Sequence, residues 1–116
     1  MADAMPKQAP PPTPVEISVL VENGRYVFRT DDPLPVYAYD RDGPGKSNCD
    51  AQCAQTWKPV LTPAGPKTVG DWTAILRADQ TWQWAYKGHP VYTYAHDVVG
   101  ENRGDGIDGL WHVVYP

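Results

Sequence analysis

The sequence holds one phenylalanine and two cysteines. It has no apolar run near the roughly 20 residues that a membrane-spanning helix needs. With only Cys49 and Cys53, a framework of several disulfides is excluded. Basic residues are few: ten Lys and Arg stand against fourteen Asp and Glu, for a net charge of −4. They are scattered, and a phosphate binder needs a basic face, so the composition argues against nucleic acid as a partner. His89, His96 and His112 form no H-E-x-x-H or H-x3–5-H pair. No Ser, His and acid are grouped as a triad, and no Gly-rich phosphate loop follows a strand. No catalytic residue is assigned, and these absences point away from an enzyme.

The chain is rich in two side chains with an apolar body and a polar tip, with five Trp and seven Tyr. Such residues suit half-buried strands. They concentrate in a phrase that occurs twice, Val36-Tyr-Ala-Tyr-Asp-Arg-Asp42 and Val91-Tyr-Thr-Tyr-Ala-His-Asp97. Tyr37, Tyr39 and Asp42 align with Tyr92, Tyr94 and Asp97 at an offset of 55 (92 − 37). Pro35 and Pro90 precede the two copies, Gly45 aligns with Gly100, and Trp57 and Trp111 align one residue out of step. Two copies are too few for an open array. The duplication therefore predicts one domain with internal pseudo-symmetry.

Residues 1–15 are Pro-rich and read as a disordered, extended tether. Residues 16–116 read as a single β domain of two repeats, 16–62 and 71–116. Glu16–Glu22 and Arg25–Thr30 alternate as strands around Asn23-Gly24, a strong two-residue hairpin signal. Val36–Asp40 is the third strand, with Tyr37 and Tyr39 on one face. In the second copy the strands are Trp72–Arg77, Thr81–Tyr86 and His89–Tyr94, and Leu110–Tyr115 returns to the sheet. Cys49, Cys53 and Trp57 share one helical stripe, which predicts a short helix that stops before Pro59. The expected fold is all-β, mainly antiparallel, with one short helix. Its two halves, of about three strands each, pack as a small sandwich or barrel-like domain.

The cysteine pair admits three readings: a disulfide, a soft-metal pair for copper or zinc completed by His89, His96 or His112, or two buried thiols. Asp40 and Asp42, or Asp105 and Asp108, are candidate cation ligands, but the EF-hand spacing with its terminal Glu is absent and the same residues serve as turn formers. Arg103-Gly-Asp105 is an adhesion-type tripeptide too short to carry weight alone. The tyrosines of the phrase read as structural, with Asp42 and Asp97 as the nearby partners of their hydroxyls. Recognition falls to the loops at 40–48 and 98–109, with Asp40, Ser47, Asn48, Asn102, Asp105 and Asp108 as the candidate residues.

The doubled Tyr-x-aromatic-x-x-Asp phrase, with Gly43-Pro-Gly-Lys-Ser-Asn-Cys49, Cys53-Ala-Gln-Thr-Trp57 and Gly109-Leu-Trp-His-Val-Val114, resembles a family of bacterial secreted lipoproteins defined by a repeated Y-x-(F/W/Y)-x-x-D motif. The resemblance covers residues 16–115. It implies an exported domain, periplasmic or at the cell surface, whose only membrane attachment is a lipid anchor. A lipobox cysteine is absent from this sequence, and Lys58 stands where the family has Pro. In that compartment the disulfide becomes the expected state of Cys49 and Cys53. The functional expectation is a non-catalytic envelope module that binds a protein or small ligand. The competing expectation is a copper-binding or thiol-redox protein using Cys49, Cys53 and a histidine.

Overall fold

A computed structural model describes residues 6–63 and 65–116. Among the described residues nine strands, all paired antiparallel, build the domain: β1 Ile17–Glu22, β2 Arg25–Thr30, β3 Tyr37–Tyr39, β4 Trp57–Pro59, β5 Thr68–Val69, β6 Trp72–Leu76, β7 Trp82–Tyr86, β8 His89–Tyr94 and β9 Trp111–Val113. The hairpin β1–β2 forms one sheet. The other follows the order β5-β6-β7-β8-β3-β9, with β4 on the free length of β8 beyond β7. Asn23 and Gly24 both take positive φ, 52° and 76°, as the two-residue turn requires.

The centre of the molecule is the β3–β8 pair, where Tyr37 and Tyr92 face each other in register. Equivalent residues of the two repeats therefore meet on a local two-fold axis. Each phrase alternates, so its side chains separate into two cores. Val36 and Val91 point to one face, where Ile17 and Phe28 of the first hairpin close on Trp72, Trp84 and Tyr86 of the β6–β7 hairpin. Phe28 meets Trp72 and Tyr86 edge-on, both at 4.9 Å. Tyr37 and Tyr92 point to the other face and join Cys49, Trp57 and Trp111. Two hairpins thus cover one side of the central strands, and the loops after β3 and β8 cover the other.

Two sequence expectations change. The helix expected at Cys49–Trp57 is a single 3-10 turn at Cys53–Gln55, and Trp57 already belongs to a strand. Pairing Trp57 and Lys58 with Tyr94 and Thr93 on β8 gives their backbone the partners a helix would have supplied. The second repeat has the matching 3-10 turn at Ile107–Gly109, just before β9. The stretch between the two repeats, assigned to neither by the sequence, contributes β5 at Thr68–Val69. In the leader, residues 1–5 lie outside the described residues. Within 6–15, Pro14 is buried, its carbonyl accepts the Ile17 N–H, and Tyr26 donates its hydroxyl to the Gln8 carbonyl.

Candidate functional site

The tyrosine hydroxyls are satisfied crosswise. Tyr37 donates to Asp97 Oδ2 at 2.6 Å, and Tyr92 donates to Asp42 Oδ2 at 2.7 Å. Each phrase therefore supplies the phenol for the other repeat's loop, rather than for its own as sequence proximity suggested. The second oxygen of each carboxylate ties its loop: Asn48 N–H donates to Asp42 Oδ1 and Arg103 N–H to Asp97 Oδ1, both at 2.6 Å. Asn48 and Arg103 are themselves equivalent positions, 55 apart (103 − 48). Burial and the neighbouring carboxylate push both phenols well above the ordinary tyrosine range. Burial also raises the Asp42 carboxyl, against the lowering effect of the hydrogen bond from Tyr92.

Beneath the two clasped loops the rings form a ladder. Tyr39 stacks on Trp111 at 4.2 Å, Trp111 on Trp57 at 3.7 Å with planes 2° apart, and Trp57 leans on Tyr94 at 4.5 Å. Cross-strand register produces this order, since Tyr39 pairs with Trp111 and Tyr94 with Trp57. The inner tryptophans are buried and the outer tyrosines half-buried, so the ladder runs from one surface to another.

The two loops are held by different devices. In the first, Cys49 is disulfide-bonded to Cys53, with Cα atoms 5.2 Å apart. The buried Arg77 donates to the Cys49 carbonyl, the Ser47 hydroxyl and the Gln83 side-chain carbonyl at 2.8–2.9 Å. In the second, the residue equivalent to Cys49 is Gly104, whose N–H donates to Tyr37 Oη at 3.2 Å. A Cβ at Gly104 would stand 2.8 Å from Trp57 and 3.0 Å from Tyr37.

This geometry redistributes the candidate residues. Ser47 is an inner link, bonded to Tyr92 and Arg77. Asn48 closes its own loop onto the Arg41 carbonyl, the Asn102 carbonyl accepts the Asp105 N–H, and Asp105 accepts the Val113 N–H at 3.2 Å. Arg103-Gly-Asp105 is therefore built into the loop, with Gly104 buried and Arg103 ion-paired to Glu101. Asp40 and Asp108 stay exposed, and Asp40 bonds His112 at 2.8 Å. The proposed metal set is not brought together. Both sulfurs are bonded to each other, His96 packs edge-on against Tyr94, and among the described residues no group of three or more His, Cys, Asp or Glu is placed to hold a metal ion.

Two surface clefts open at the ends of the ladder. One, of about 240 Å³, is lined by Ala38, Tyr39, Asp40, Asp42, His89, His112, Val113 and Val114. The other, of about 530 Å³, is lined by Thr93, Tyr94, Ala95, Leu34, Lys58, Pro59 and Val60, and further by Glu16, Thr30, Asp31 and Asp32. These are the same place in the two repeats. Ala38, Tyr39, Asp40 and His89 correspond to Thr93, Tyr94, Ala95 and Leu34 at an offset of 55 (94 − 39). His112, Val113 and Val114 correspond to Lys58, Pro59 and Val60 at 54 (112 − 58), the same slip that separates Trp57 from Trp111. The frame is kept, while Asp40, His89 and His112 have become Ala95, Leu34 and Lys58. Sequence reading named Asp40, His89 and His112 for other reasons, and it missed Lys58, Arg77, Gln83 and Gly104. The 54-residue offset beyond the tryptophans was the available signal for Lys58.

Comparison with curated proteins and with solved structures returns no match. Residues 73–115, most of the second repeat, match the model of a family described as a secreted repeat of unknown function, the family that the doubled phrase resembles.

Proposed function

We propose that the chain is an exported, non-catalytic cell-envelope module, derived from a lipoprotein, which binds a partner protein or small ligand at the twin clefts flanking the aromatic ladder. The observation that carries this reading is the pair of equivalent clefts with unlike linings. Tyr39 and Tyr94 recur as the aromatic wall, while the polar residues around them differ in kind and charge. Loops and strand ends on a rigid frame are where binding groups usually sit, and the two repeats differ there while the frame is kept. The crosswise clasps supply that rigidity, because neither loop can open without freeing a buried phenol. The match to a secreted repeat agrees with export. Placement in the periplasm or at the cell surface, and attachment through a lipid anchor, belong to the same reading. A copper role would first need the Cys49–Cys53 bond opened, and a thiol-redox role would use that bond as its oxidised state; both take second place, since the bond already has a structural use in stapling the loop after β3.

The test is residue-resolved NMR on the labelled chain, titrated with fractionated envelope extract and separately with Cu(I) under reducing conditions. Shifts gathered on Asp40, His89 and His112, or on Lys58 and Thr93, support the module. Shifts confined to Cys49 and Cys53 with copper, and none with the extract, overturn it.

A further inference from the structure

The ladder that cross-strand register builds is continuous from cleft to cleft. Tyr39, Trp111, Trp57 and Tyr94 follow one another at 4.2, 3.7 and 4.5 Å, and each outer ring lines a cleft. Indole and phenol are the side chains most readily oxidised by one electron after thiols, and rings at these distances exchange an electron rapidly. Two further rings touch the middle of the ladder edge-on, Tyr37 against Trp57 at 5.4 Å and Tyr92 against Trp111 at 5.3 Å. Both are fully buried, and both already donate their proton to a carboxylate. A phenol that loses an electron becomes a strong acid, and where its proton can go decides whether the oxidised state is reachable. Here the acceptor is in place without water.

We infer that the ladder is a one-electron path between the two clefts, with Tyr37 and Tyr92 as proton-coupled resting places for the oxidising equivalent. An oxidised metal complex in one cleft takes an electron from the adjacent outer tyrosine. The vacancy passes along the tryptophans to Tyr37 or Tyr92, whose O–H bond breaks as its proton moves to Asp97 or Asp42. The products are a neutral tyrosyl radical and a neutral carboxylic acid. A reduced metal complex at the other cleft refills the ladder with one electron, and the proton returns from the Asp97 or Asp42 carboxylic acid to the phenolate oxygen. The sum is one electron moved from reductant to oxidant, with no net proton exchanged. The ordinary phenol ionisation is disfavoured at both sites, so loss of the proton is tied to loss of the electron. The larger cleft, with Glu16, Asp31 and Asp32 on its wall against the cation of Lys58, suits a cationic complex.

The experiment is flash photolysis of the full chain with photogenerated tris(bipyridine)ruthenium(III) as the oxidant, followed by transient absorption and electron paramagnetic resonance. The expected product is a neutral tyrosyl radical whose formation rate does not depend on buffer base. Asp97→Asn and Asp42→Asn should each bring in a buffer-dependent phase. Tyr37→Phe combined with Tyr92→Phe should lose most of the tyrosyl signal and leave a tryptophan radical in its place. If the double variant does not fold, each single variant keeps one clasp and should lose part of the signal. A wild-type yield in the single and double variants, or a radical that disappears only with Tyr26→Phe and Tyr115→Phe, overturns the path. Binding at the clefts by the titration above would stand independently of that outcome.

Discussion

Tyr37 and Tyr92 look interchangeable with the many tyrosines of β proteins until their hydroxyls are followed. Each is buried, and each donates to a carboxylate that holds a loop of the other repeat. A hydrogen bond to a charged group contributes about 1.5–3 kcal/mol. Tyr37→Phe and Tyr92→Phe should therefore each lower stability by about 2 kcal/mol in urea denaturation. Combining Tyr37→Phe with Asp97→Asn should cost less than the sum of the two single changes, because both remove one interaction. Full additivity would mean the clasp contributes nothing. Alkaline pH tests the same groups. The native phenols hold their protons well above the ordinary tyrosine range, whereas the unfolded chain releases them at pH ~10. The stability they confer is complete below pH 10 and falls as pH rises beyond it, by about 1.4 kcal/mol per tyrosine per pH unit. In stability measured from pH 9 upward, the wild type should show a slope near twice that of either Phe variant. Equal slopes would show that these phenols titrate normally.

At the scale of elements, the two covering loops face one task and solve it differently. The loop after β3 is stapled by Cys49–Cys53, and the loop after β8 is held by inserting Gly104 under Trp57. Replacing both cysteines by serine removes a short covalent loop, and by chain entropy should cost about 2 kcal/mol. Unmodified protein purified without reductant should show no titratable thiol, and two reactive thiols would contradict the bond. Gly104→Ala should cost about 1–3 kcal/mol by overpacking, since indole and phenol rings leave no room for a methyl group. A neutral result would mean that Trp57 can shift. Much of this layer was legible in sequence. The Asn23-Gly24 hairpin, the alternation of the doubled phrase and the hairpin β6–β7 follow from period and turn chemistry, which act locally. The helix at Cys49–Trp57 was a misreading with a physical source. Its i, i+4, i+8 spacing is real, yet a lone helix of that length is marginal, and β8 offered Trp57 and Lys58 a ladder to join. Gln83 lies in the Thr81–Tyr86 strand between Trp82 and Trp84. It is fully buried because the Ser47–Cys49 loop, through Arg77, covers it.

For the whole molecule, the repeat was visible in the sequence, but the exchange between repeats was not. An offset of 55 says which residues are equivalent. It does not say whether Tyr37 is served by Asp42 or by Asp97, because that depends on how the halves turn about the β3–β8 pair. With β9 paired to β3 and β4 to β8, Tyr39 then stacks on Trp111 and Tyr94 on Trp57, and the twin clefts lie at opposite ends of the row. Neither half then owns a complete core. A chain of residues 67–116 alone lacks the acceptor for Tyr92 and the rings on both sides of Trp111, and it exposes the face of Trp72, Trp84 and Tyr86 that Phe28 and Ile17 cover. At roughly 50 residues it sits where a single core seldom sustains a fold. The expected result is a polypeptide without dispersed NMR signals at micromolar concentration, which gains them when the complementary chain of residues 6–66 is added. The restored spectrum should include the clasped amides of Asn48 and Arg103. A half chain that is dispersed and monomeric by itself would show that the repeats are independent folding units, and that the crossed clasps join finished halves rather than completing them.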